Sequence, residues 1–98
     1  WMAENGSQNV MWNTGHPVGY VAHDVGPSLG GAQEGRDPYP TAFEELRVGN
    51  VFAYDGFYKW NIEGGTKTIS VEEMVAITEN GAEYLTEPQG ELILILSD

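Results

Sequence analysis

Five side chains in this sequence could bind a metal or move a proton: the imidazoles of His16 and His23 and the carboxylates of Asp55, Glu72 and Glu73. A histidine with no recognisable partner is more often a hydrogen-bonded structural residue than a ligand. The two imidazoles are seven residues apart, and an odd spacing directs them to opposite faces of a regular strand. They meet only where His16 precedes the strand proper, which Gly15-His16-Pro17 permits. Within 69–77, Glu72 alternates with Ser70, Met74 and Ala76, away from the apolar positions, so its carboxylate can look into a cleft. Glu73 falls with Val71 on the apolar face, an awkward place for a charge. Asp55 lies among bulky aromatics, a costly setting unless the carboxylate is paired or metal-bound. A plainer alternative, which composition favours, makes Glu72 and Glu73 solvated charges straddling an edge strand. If His16, Asp55 and Glu72 converge, their nitrogen-and-oxygen donor set suits Mn, Co, Fe(II) or Zn and no soft metal. Three ligands suffice for one ion with open positions, whereas a two-metal site usually needs bridging carboxylates as well. Ser7, Ser28 and Ser70 have no partner histidine at an interpretable spacing. Gly30, Gly31 and Gly35 are followed by no Lys-Ser/Thr, so they form no phosphate loop.

Strands must position these groups. Val10-Met11-Trp12 reads as a short strand, Asn13-Thr14-Gly15 as a turn, and 16–25 as extended, since Pro17 and Gly19 exclude a stable helix. Residues 26–40 form a long Gly/Pro-rich loop. Residues 41–47 allow one or two helical turns, with Thr41 as N-cap and Glu44 three residues later. Val48-Gly49-Asn50 is a turn and 51–60 an aromatic-rich strand. Glu63-Gly64-Gly65 is a hairpin turn. It leads into the best strand, 67–78, where Ile69, Val71, Val75 and Ile77 alternate onto one face. A tight Asn-Gly turn over Thr78-Glu79-Asn80-Gly81, a strand over 82–86 and an apolar strand over 91–96 complete the reading. The expected fold class is α+β, a mostly antiparallel curved sheet with little helix, and 98 residues make a single domain.

Composition narrows the partners. Fifteen acids against four bases give a formal charge of -11, which argues against nucleic acid and against anionic membrane surfaces. No cysteine is present, so there is no disulfide, thiolate metal site or thiol nucleophile. The longest apolar run, 92–96, is far below the roughly 20 residues of a membrane span. Residues 1–15 carry neither a basic n-region nor an apolar core, so no signal peptide is expected and a cytoplasmic location is. The chain begins with Trp1 and reads as a piece of something longer.

Several motifs, in order, resemble one family. Residues 13–19 (NTGHPVG) and 21–26 (VAHDVG) are similar to the glycine-histidine and valine-histidine-aspartate motifs of Xaa-Pro aminopeptidase and prolidase. These belong to the pita-bread metallopeptidases, with methionine aminopeptidase and creatinase. Residues 46–52 (LRVGNVF) resemble the approach to the family's ligand glutamate, 69–78 (ISVEEMVAIT) its second glutamate strand, and 79–86 (ENGAEYLT) the hairpin that follows. The resemblance covers nearly all of 13–86. It implies the C-terminal half of a pita-bread catalytic domain. His16, Asp55 and Glu72 would be metal ligands, with Glu72 also assisting catalysis, and His23 would bind substrate and steady the tetrahedral intermediate. It also implies a divalent metal (Mn, Co, Zn or Fe) in the full-length protein, and a hydroxide activated by it that attacks the scissile carbonyl of a short peptide with an Xaa-Pro or free amino end.

Three positions depart from the family pattern. Tyr54-Asp55-Gly56 stands where the family has Glu-Pro-Gly, so either Asp55 replaces the glutamate with the proline lost or that ligand is missing. Ser70 stands where prolidase-like members often have Arg, and the two aspartate ligands would lie upstream of Trp1. The isolated chain is therefore expected to be weak or inactive. Two rivals are a creatinase-like hydrolase working without metal and a catalytically silent pita-bread module used for binding. A half-domain also leaves an apolar face and an unpaired strand edge. The expected partner is thus the missing N-terminal half or a second copy, in a homodimer with Trp12, Phe57 and Trp60 at its interface.

Overall fold

A long hairpin dominates the computed structural model, which describes residues 3–9, 13–30 and 35–97. Strands β1 (Ser7–Asn9), β2 (Asn13–Pro17), β3 (Leu29–Gly30), β4 (Val51–Ile62), β5 (Gly65–Thr78) and β6 (Gly81–Tyr84) form one antiparallel sheet. Its order is β3-β2-β4-β5-β6, with β1 and β2 end to end along the same side of β4. The two 3₁₀ turns, Ala3–Asn5 and Pro40–Phe43, are all the helix among the described residues.

The hairpin forms where patterning is strongest. β4 carries aromatics at alternate positions, Phe52, Tyr54, Tyr58 and Trp60, and β5 answers on the same face with Val75, Glu73, Ile69 and Lys67. Such cross-strand pairs are the unit of sheet stabilisation. The strand pair opens at Ile62↔Gly65 and runs to Val51↔Ala76, longer at both junctions than periodicity suggests. Ile69, Val71, Val75 and Ile77 share a face as expected, and Glu72 shares the other with Ser70, Met74 and Ala76. Phe52 is fully buried and Ala53 nearly so, and these two are the buried hydrophobic residues among those described.

Several expectations are corrected. Asn13-Thr14-Gly15 is part of β2, not a turn, because Gly15 pairs with Tyr54 at close quarters. A Cβ at Gly15 would collide with the Ala53 carbonyl oxygen and lie 2.9 Å from Leu29 Cδ1. The extended segment ends at Pro17, after which the chain bends through 19–23. Part of the 26–40 loop is β3, paired with β2. Thr41 caps no helix. The 3₁₀ turn starts at Pro40 with Tyr39 in the capping position, and the Thr41 hydroxyl meets Ser28 Oγ at 3.0 Å instead. Gly81 opens β6 opposite Thr78, so Glu79-Asn80 make the corner, and β6 stops at Tyr84. Residues 91–96 are not a strand. Leu92 to Leu96 are 77–89 % exposed, since strand propensity yields a strand only where an edge is engaged. Val10-Met11-Trp12 and residues 31–34 lie outside the described residues. Among the described residues no helix is long and apolar enough to cross a membrane, which does not bear on strands.

Candidate functional site

One face of the sheet carries His16, Asp55 and Glu72. Asp55 on β4 lies directly opposite Glu72 on β5. His16 on β2 lies opposite Ala53, two residues from Asp55 along β4 and therefore on the same face. Directly opposed side chains sit about 4.5–5.5 Å apart at Cβ, and diagonal ones about 7–8 Å. The carboxylates are thus neighbours, while His16 stands one diagonal step away. Among the described residues no group of three or more His, Asp or Glu is gathered closely enough to hold a metal ion.

Asp55 is half-buried, and its Oδ1 is buried without a hydrogen bond. Two like charges directly opposed, one with an unsatisfied oxygen, cost stability. Glu72 is exposed at the same position. Glu73 points to the other face opposite Tyr54, where its Oε1 accepts the Gln89 backbone N–H at 2.9 Å. Its place among apolar residues is resolved by that bond.

The two histidines do meet, with ring centroids 3.8 Å apart and planes within 24°. They converge by a different route from the one spacing allowed. His16 lies inside β2, and the chain folds back after Pro17. The Asp24 N–H donates to the Pro17 carbonyl at 3.0 Å, and Val18 N–H to the Val51 carbonyl at 2.9 Å. The Asp24 carboxylate accepts from the Val25 and Tyr20 N–H groups, each at 2.8 Å, closing the bend that carries His23 onto His16. The Val25, Tyr20 and Val21 amides hold the Asp24 carboxyl below the usual carboxylate range, against a smaller opposing effect of burial. His16 Nδ1 lies 3.2 Å from the Pro17 carbonyl. Donation to that acceptor keeps the proton on Nδ1 and leaves the Nε2 lone pair as the ligating one.

Sequence reading missed Asp24 as the residue that positions His23. Its signal was an aspartate in a glycine-flanked bend, a side chain suited to capturing nearby amides. It also missed a tyrosine pair on the opposite face. Tyr54 and Tyr58, four apart and hence on one side of β4, bring their hydroxyls to 2.9 Å. Gly56 between them makes room: a Cβ there would lie 2.8–3.0 Å from the Tyr58 ring end. Burial, then the Tyr54 hydrogen bond and the nearby Tyr54 and Asp55 charges, push Tyr58 up to about 12. These rings, with Trp60, Ile69 and Val71, line a cleft of about 510 Å³.

Set against family models, curated proteins and solved structures, the chain matches none.

Proposed function

We propose that this chain is the C-terminal portion of a metal-dependent aminopeptidase acting on short peptides with an Xaa-Pro or free amino end. The observation that carries the reading is the direct opposition of Asp55 and Glu72, with Asp55 Oδ1 buried and unpartnered, on the face that bears His16. A hard or borderline divalent cation fits such a donor set and relieves its repulsion. Asp55 and Glu72 would hold the ion between them, and His16 Nε2 would complete the set after a modest local adjustment. The chemistry such an ion supplies is polarisation of a carbonyl and activation of water. His23, exposed on the outer side of the stacked pair, offers a ring nitrogen to the substrate carbonyl oxygen. The stacking and the Asp24-closed bend hold it in place. The resemblance of 13–86 to pita-bread metallopeptidases supports the same assignment. On this reading further ligands would come from outside these residues, which would then hold only part of the site.

The test is titration of the chain with Mn²⁺ and Co²⁺, followed by Mn²⁺ electron paramagnetic resonance and Co²⁺ absorption. One ion per chain is expected, with Asp55→Asn and Glu72→Gln each weakening binding more than tenfold. Affinity unchanged in both variants, or no binding at millimolar metal, would overturn the reading.

A further inference from the structure

The strand order leaves one edge open. β6 engages β5 only over Val75–Thr78, extended by the Leu85 N–H donating to the Met74 carbonyl at 2.9 Å. Among the described residues nothing pairs with Gly65–Glu73 on that side. The Met74 carbonyl faces outward, whereas both main-chain groups of Ile77 turn toward the β4 side, bonding Asn50 and Gly49. Strand alternation then sends the N–H and C=O of Thr68, Ser70 and Glu72 outward as well, an unmet row of donors and acceptors.

The same chain carries a segment suited to such an edge. Leu92-Ile93-Leu94-Ile95-Leu96 has strand propensity and is 77–89 % exposed. Its root is already seated beside β5. The Gln89 N–H donates to Glu73 Oε1, and a hollow of about 330 Å³ is shared by Ile69–Glu73 and Gln89–Leu92.

We infer that two copies of this chain exchange these segments: Leu92–Leu96 of each adds as a strand to the open β5 edge of the other. The segment is apolar on both faces, the pattern of a strand covered on both sides. Added to a β5 edge, one of its faces joins Ile69 and Val71 and the other joins Ser70 and Glu72. Edge and donor lie in the same chain, so a reciprocal exchange is isologous, closes as a twofold dimer and pairs the outward row of both β5 strands. Surface area agrees. The chain exposes 7921 Å², whereas a folded monomer of this size exposes about 5,500 Å². The excess of about 2,400 Å² per chain is larger than the roughly 600–1,000 Å² each partner contributes to a standard interface. This inference does not rest on the metal site, and its readouts are independent of metal.

Sedimentation of the 98-residue chain tests it with two variants. Leu94→Glu disables the exposed segment, and Ser70→Pro removes an outward N–H from the edge without touching the β4 ladder. A dimer is expected for the unaltered chain. Each variant should raise the dissociation constant more than tenfold while keeping the far-ultraviolet spectrum. An equimolar mixture should regain a weaker heterodimer, since one good segment then meets one good edge. If Ser70→Pro disturbs the spectrum, Thr68→Pro replaces it. A monomer overturns the inference, whether the amides of Ser70 and Glu72 are protected from exchange by the chain's own segment or exchange freely. A dimer that survives Leu94→Glu overturns it too, and one lost only in Ser70→Pro points to pairing of two β5 edges instead.

Discussion

Glu72 and Asp55 oppose each other across β4 and β5 as two carboxylates with no bond to the buried Asp55 Oδ1. Directly opposed like charges in a sheet cost about 0.2–1 kcal/mol. On the proposed metal site, Glu72→Gln should therefore stabilise the chain in chelator by about that amount while weakening its response to Mn²⁺ more than tenfold. Urea unfolding with and without metal checks both halves, and a less stable variant in chelator would count against an electrostatic cost at the pair. The histidines are ordered differently. On the proposed assignment, His16→Ala should abolish tight metal binding and His23→Ala should keep metal and lose turnover, because a ligand sets affinity while a substrate-facing group acts on the transition state. Equal metal loss in both would remove the assignment. Tyr58 gives a pH signature on the far side of the sheet. Its hydroxyl, pushed from 10.0 up to about 12, keeps its proton in the folded chain where the unfolded chain has lost it. Stability contributed by this group is thus complete below about pH 10 and falls as pH rises from there to about 12. Tyr58→Phe should remove the latest step of the tyrosinate absorbance titration and flatten that fall.

At the scale of elements, close approach governs. β2 reaches β4 only because Gly15 has no Cβ to strike the Ala53 carbonyl. Gly15→Ala must displace a backbone contact that no rotamer can relieve, so a loss of about 1–3 kcal/mol is expected in thermal or urea unfolding. A loss within a few tenths would show that β2 shifts freely. The β4–β5 hairpin was legible in the sequence because period-two patterning and the Glu63-Gly64 turn are local signals that agree with each other. From the same alternation came the separation of Glu72 from the apolar face, whereas its place opposite Asp55 follows from the hairpin register. The meeting of His16 and His23 was not legible from spacing, since it depends on a bend that Asp24 closes through main-chain amides. Thr41 failed as a helix cap because Pro40 starts the turn one residue earlier and Ser28, distant in sequence, takes its hydroxyl. Residues 91–96 show the limit most clearly. Their composition reports strand propensity, but pairing is a property of an edge elsewhere in the chain or in another chain.

For the whole molecule, folding and assembly are linked. Its buried hydrophobic residues among those described are Phe52 and Ala53, and its radius of gyration is 15.8 Å, against about 13 Å for a compact domain of this length. A sheet so thinly covered has little stability to draw on as a monomer, so anything that binds the folded state alone would add a large share. If the Leu92–Leu96 exchange supplies that cover, melting should depend on protein concentration. Each tenfold rise above the dissociation constant adds about 1.4 kcal/mol per dimer, or about 0.7 per chain, which corresponds to roughly 3–5 °C in a domain of this size. Leu94→Glu should make the melting temperature independent of concentration. Charge sets the salt response: -11 on each chain opposes association. Screening shortens the reach of that repulsion to about 10 Å at 0.1 M salt and to about 3 Å at 1 M. Added sodium chloride should therefore raise the melting temperature of the unaltered chain more steeply than that of Leu94→Glu, which has only its own repulsion to screen. Calorimetric scans over a hundredfold range of concentration at low and high salt measure both effects. Identical, concentration-independent transitions in the two proteins would mean that each sheet stands alone, with its edge and its apolar segment contributing nothing to stability.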